Sequence, residues 1–198
     1  DQPRSRGLGD VYKRQVLRMF GFKVNEDVTL KILEEREADT LFNLVDQSRS
    51  YLAEWLPFVA YTNQVEDSRK FIQAALRQFA SGNGFHCGIW IEDQLVGVIG
   101  LHYIDNVNKK TSIGYYLGEN HQKKGIMTQC TKALIDYAFH ELKLNRVEIR
   151  ASVENKKSQA IPERLGFTRE GRLRSDEKVQ GQFKDSFVYS LLKSEWQL

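Results

Sequence analysis

The chain has 198 residues, of which 41% are hydrophobic, 11% aromatic and 28% charged, with only 3 prolines. It is long enough to bury a core without disulfide staples and too apolar for a disordered, collagenous or repeat protein. The net charge of +3 points to an acidic partner only until it is located: residues 1–18 hold five basic residues against two acidic ones, and the rest carries 24 of each sign. Nucleic acid and membrane surfaces therefore lose their support as partners.

Residues 1–18 have no amphipathic period and no apolar h-region, so they read as neither a signal nor a transit peptide. We expect a non-native or disordered leader ahead of Met19, with a native tail that binds something acidic as the alternative. A single domain is expected over residues 19–198. No run of 18 apolar residues predicts a transmembrane helix.

After Met19 the hydrophobic period alternates between two and 3.6, with no linker or repeat. Residues 28–33 predict a strand and 37–49 a helix. Residues 50–59 predict a shorter helical piece ended by Pro57, and 66–80 an amphipathic helix. Gly82-Asn83-Gly84 breaks that helix. Residues 85–91 and 95–103 then predict a hairpin, and 110–117 a third strand of the same meander. The clearest helix runs over 126–142, with Cys130 on its apolar side. A strand at 146–153, a short helix at 156–165 and two strands flanking Gly181 complete a mixed α/β order. An antiparallel meander is followed by a β-α-β crossover, with helices flanking a central sheet.

Cys87 and Cys130 are far apart and lack CxxC spacing, while His86, His102, His121 and His140 lack the spacing of a metal site. No metal is expected, and two free thiols suit a reducing cytoplasm. The most informative segment is Tyr115-Tyr116-Leu117-Gly118-Glu119-Asn120-His121-Gln122-Lys123-Lys124-Gly125-Ile126-Met127-Thr128. Here a strand ends and a long helix begins. Its first N–H groups and dipole make a phosphate or pyrophosphate site, Lys123 and Lys124 add positive charge, and Gly125 lets backbone approach the anion. Gly125 as a simple strand-to-helix turn is the competing reading. There is no GxxxxGK[ST] and no GxGxxG, so neither a P-loop nor a Rossmann site is expected.

Gln122-Lys123-Lys124-Gly125-Ile126-Met127 resembles the acetyl-CoA motif Gln/Arg-x-x-Gly-x-Gly/Ala of the GNAT N-acetyltransferases, with Met at the third anchor as in the RimJ/RimL branch. Trp55-Leu56-Pro57, Gly97-x-x-Gly100-Leu101, Asn155-x-x-Ser158, Leu165-Gly166-Phe167, Glu170-Gly171, Gly181 and Asp185 extend the resemblance from about residue 28 to the C-terminus. The resemblance implies a GNAT fold and acetyl-CoA as co-substrate. It implies that the pantetheine arm enters between two splayed strands, which we expect at 95–103 and 110–117. Backbone N–H groups of Tyr115, Tyr116 and Leu117 would then polarise the thioester, and those of Lys123 to Thr128 would hold the diphosphate. Asn155 would offer its amide to the pantetheine or cap a helix.

Many members of the family carry a Tyr four residues before the Gly-Phe pair as proton donor to the departing thiolate. Pro162 stands there in this chain. Within the RimL branch the matching residues are Ser158, as donor to the sulfur, and Glu177, as acceptor of the amine's proton. A helix cap and a solvated surface charge are the competing roles for these two. His102, Asp105 and His86 are further candidate bases, and Trp55, Tyr103 and Tyr116 are candidate walls of the acceptor pocket. The expected reaction is direct transfer to a primary amine, since no nucleophile–base pair suggests an acyl-enzyme. The expected acceptor is the α-amine of a protein such as a ribosomal protein. A small-molecule amine and a non-catalytic acyl-CoA-binding module are the alternatives. The edge strands of the C-terminal hairpin are open to pairing between subunits.

Overall fold

The computed structural model describes residues 21–196; the expected leader and Met19 lie outside the described residues. Among the described residues five α-helices and eight strands follow in chain order: β1 (Phe22–Lys23), β2 (Val28–Ile32), α1 (Ala38–Gln47), α2 (Arg49–Ala53), α3 (Val65–Ala80), β3 (Phe85–Ile91), β4 (Gln94–Asp105), β5 (Lys110–Leu117), α4 (Ile126–His140), β6 (Arg146–Ser152), α5 (Lys156–Arg164), β7 (Thr168–Val179) and β8 (Gln182–Leu192). The strands form one sheet in the order β1-β2-β3-β4-β5-β6-β8-β7. All neighbours run antiparallel except β5 and β6, which are parallel. Parallel neighbours require a long return, and α4 supplies it.

Strand alternation sorts side chains onto two faces. Ile99, Leu101, Ile113, Val147, Ile149 and Tyr189 meet Cys130, Leu134, Ile135, Ala138 and Phe139 of α4 in the largest core cluster. On the opposite face Trp90, Leu95 and Val98 pack against Leu41 and Leu44 of α1 and Ile72 of α3. Each fully buried Leu, Ile or Phe in these clusters contributes about 1.5–3 kcal/mol.

One predicted element differs in detail, and one strand was not predicted. Pro57 opens a 3-10 turn, Pro57–Tyr61, instead of ending a helix; its missing N–H costs nothing at a first helical position. The short β1, absent from the sequence reading, pairs with β2 through Phe22↔Leu30 and Lys23↔Thr29. Two residues are too few for a readable period.

The expected position of the strand splay is also corrected. The β4–β5 ladder continues to Gly97↔Leu117, where a Cβ on Gly97 would stand inside 3 Å of the Tyr116 carbonyl. The parallel β5–β6 ladder instead stops at Ile113↔Ile149, so the strands part between β5 and β6. A hairpin connection keeps β4 and β5 paired from Asp105↔Lys110 to Gly97↔Leu117, with one bulge between His102 and Asp105, whereas β5 and β6 have only four paired positions before the chain leaves for α4.

Candidate active site

The mouth of this gap is the N-terminus of α4. Gly125 is the N-cap with φ 73° and contributes no side-chain cap, and Lys123 two residues earlier also has a positive φ of 62°. The first helical bond closed on the cap is Gln129 N–H to the Gly125 carbonyl at 3.1 Å, so the preceding N–H groups have no intrahelical acceptor. Ile126 and Met127 bury their side chains in the core. They therefore face the loop only through backbone, while Lys123 and Lys124 are exposed beside it.

Residues the sequence reading did not single out reinforce this corner. Arg164 at the end of α5 donates to Thr128 Oγ1 at 2.7 Å, and Lys157 Nζ donates to Gln122 Oε1 at 3.0 Å. The buried Nε2 of Gln122 and Nδ1 of His121 have no hydrogen-bond partner among the described residues. A helix N-terminus, four nearby cations and unsatisfied nitrogens fit an anionic group. No group of three or more His, Cys, Asp or Glu is arranged to hold a metal among the described residues.

Beyond the mouth, Gly114–Leu117 on β5 pair only with β4, and Arg150–Ser152 on β6 pair only with β8. Their facing edges leave main-chain donors and acceptors toward the gap, which suits an extended chain bearing amides. On the α4–α5 side the gap is walled by α5. Asn155 is its N-cap and accepts from the Ser158 N–H at 3.0 Å, so capping belongs to Asn155 and not to Ser158. Tyr115, whose buried phenol is pushed well above the ordinary tyrosine range, meets Ser158 from β5.

On the opposite side, Phe58 packs at a 45° tilt against Tyr116 with centroids 5.4 Å apart, placing the 3-10 turn over the end of β5. The β7–β8 hairpin reaches the same segment. Gln180 Nε2 donates to the Ala53 carbonyl at 3.0 Å, and Lys184 Nζ sits 5.7 Å from the centre of the half-buried Trp55 ring. Lys184 is the cross-strand partner of Glu177, so Trp55 and Glu177 share one corner. Although Glu177 remains exposed, surrounding mass desolvates its carboxylate and raises its pKa, with Asp176 adding repulsion.

A two-residue bulge presents Glu177: Leu173 faces Ser186 while Glu177 faces Lys184. Asp185 holds it, accepting from Ser175 N–H at 2.8 Å and from Arg172 Nε at 2.6 Å. Tyr103 is not part of this corner. It is 74% exposed and follows the His102↔Ser112 pair, toward the β4–β5 turn and away from Leu117, because antiparallel register carries that end of β4 to the start of β5. His102 and His86 meet at a 59° tilt with centroids 4.9 Å apart, and Asp105 caps the β4–β5 turn by accepting from the Val107 and Asn108 N–H groups.

A parallel strand pair parted beside an uncapped helix N-terminus, in this strand order, defines an acetyltransferase-type α/β fold. The chain belongs to the GNAT acetyltransferases: that domain family matches residues 27–168. It is 43% identical to YdaF of Bacillus subtilis (strain 168) over 180 residues, covering 90% of this chain and 98% of the relative. Among solved structures it is similar to the microcin C7 self-immunity acetyltransferase MccE in complex with acetyl-CoA and AMP, at 32% identity and a TM-score of 0.84, covering 88% and 97% of the two chains. It is likewise similar to RimL, a ribosomal L7/L12 α-N-protein acetyltransferase in complex with coenzyme A, at 27% identity and a TM-score of 0.84, covering 87% and 97%.

Proposed function

We propose that this N-acetyltransferase moves the acetyl group of acetyl-CoA directly to a primary amine, and that the amine is the N-terminal α-amine of a protein such as a ribosomal protein. The observation that carries the reading is the β5–β6 gap with the α4 N-terminus at its mouth. The acceptor class is supported by the likeness to RimL. In this reading residues 19–198 act as a single domain in the cytoplasm, and β7, the outer strand of the C-terminal hairpin, is an edge open to pairing with a second copy.

Acetyl-CoA supplies an activated acyl group. Backbone N–H groups of Lys123 to Thr128 hold its diphosphate, those of Tyr115 and Leu117, which alternate away from β4, face the thioester oxygen, and Asn155 meets the pantetheine amides. Glu177 takes the proton of the ammonium, directly or through water, and its raised pKa makes it a better base than an ordinary carboxylate. Ser158 gives its hydroxyl proton to the departing sulfur and regains the one shed by the acetylated nitrogen. Trp55 and Tyr116 flank the incoming amine.

The test measures coenzyme A release and product mass with peptides bearing free α-amines and with small amines, for wild type and Glu177→Ala. Peptide acetylation by wild type and at least about 100-fold slower turnover by the variant, at unchanged acetyl-CoA affinity, are expected. Turnover of small amines alone overturns the protein acceptor. Acetyl-CoA binding with no amine acetylated favours a binding module, and absence of binding by calorimetry overturns the whole reading.

A further inference from the structure

An α-helix pairs each carbonyl with the N–H four residues ahead. In α5 the partner of the Ser158 carbonyl would be the N–H of residue 162, and residue 162 is a proline, which has none. The carbonyl is not left unpaired. Tyr115 Oη reaches across from β5 and donates to it at 3.1 Å, while Ser158 Oγ donates back to the same phenol at 3.5 Å. Tyr115 stands two residues beyond the last β5–β6 pair, where the strands have begun to part. The residue that removes the helical donor, the tyrosine that replaces it and the serine at the gap therefore form one arrangement.

Resting on the acetyl-transfer reading above, we propose that Tyr115 is a positioning residue: anchored on the carbonyl that Pro162 frees, its hydroxyl fixes the Ser158 side chain for donation to the departing sulfur. A free serine hydroxyl samples three staggered rotamers. A phenol has one proton to donate; with that proton on the Ser158 carbonyl, its oxygen is left to accept from Ser158 Oγ and so selects one rotamer. Burial keeps the phenol protonated, which suits it to orientation and not to proton supply. When negative charge develops on sulfur, the serine proton turns from a neutral phenol to the stronger anionic acceptor. The phenol thus serves a position that a tyrosine on the helix could occupy in place of Pro162, but it comes from a strand.

The experiment compares the full chain carrying Tyr115→Phe, Ser158→Ala, Pro162→Ala and the pairwise combinations, by steady-state kinetics with acetyl-CoA and a peptide bearing a free α-amine, and by thermal unfolding. Tyr115→Phe is expected to lower kcat by about 10- to 100-fold while the KM for acetyl-CoA stays within about twofold. In the Ser158→Ala background it lowers kcat no further, because it acts through that serine. Pro162→Ala restores an N–H that competes for the carbonyl, so the melting-temperature loss caused by Tyr115→Phe shrinks in its background. The proposal is overturned by a Tyr115→Phe enzyme of near wild-type kcat, by multiplicative losses with Ser158→Ala, or by a melting-temperature loss that Pro162→Ala leaves unchanged. If wild type acetylates no amine, the function reading fails, and the unfolding cycle still decides whether Tyr115 replaces the missing donor.

Discussion

His86 and His102 bring two titratable rings together across β3 and β4, with Phe71 of α3 5.3 Å from His86. Burial, helped by the neighbouring His102, pushes the His86 pKa down to about 4. The folded value lies below the unfolded one, so the unfolded chain binds more protons between the two. The stabilising contribution is complete above about pH 6.5 and is lost as pH falls toward 4, amounting to about 3 kcal/mol. The melting temperature should therefore drop across that window, and His86→Phe should flatten the drop; an equally steep profile in the variant would place its origin elsewhere. In the role proposed for it, Glu177 acts only when deprotonated, so activity would likewise be lost as pH falls, and its raised pKa sets where that loss begins. Asp176→Asn removes a repulsive neighbour, so the acid limb of kcat/KM should move to lower pH; a limb that stays fixed would separate it from Glu177. The motif around Ser158 was readable as residues, but the Tyr115 phenol was not singled out. The one signal for it was Pro162, which implied an unpaired carbonyl without saying what would approach it.

Among the elements, the β7–β8 hairpin depends most on tertiary context. Its bulge is held by Asp185, whose carboxylate is kept below the usual range first by Ser175 N–H and then by Arg172. Asp185→Ala should lower kcat by about tenfold with acetyl-CoA affinity unchanged, read by kinetics beside calorimetry, because Glu177 loses its placement and the α4 mouth does not change. Equal losses in both measurements would show a general loss of fold. The strand-to-helix turn before α4 was legible because a glycine between lysines and an amphipathic run has a local cause. Gly125 does adopt φ 73°, and Gly125→Ala should weaken acetyl-CoA binding through backbone strain of about 1 kcal/mol. The splay was misplaced because hydrophobic alternation identifies a strand without naming the neighbour from which it parts.

At the scale of the whole molecule, charge and function separate. Deleting residues 1–18 removes the entire net +3, yet acetyl-CoA affinity should hold within about twofold, because in the proposed reading the anion is held by the α4 N-terminus and the lysines beside it, which act over a few ångströms. A marked loss by calorimetry would assign that segment a binding role. Helix and strand periods, the glycine turn before α4 and the Asn155-x-x-Ser158 cap were determined by the sequence itself, because each depends on residues within one or two turns of one another. The β5–β6 gap, the placement of Tyr103 toward the β4–β5 turn, the bulge under Glu177 and the pairing of Tyr115 with Ser158 were decided only by the tertiary structure. They join residues up to 43 positions apart in sequence, through strand register and a vacant carbonyl that local pattern does not specify.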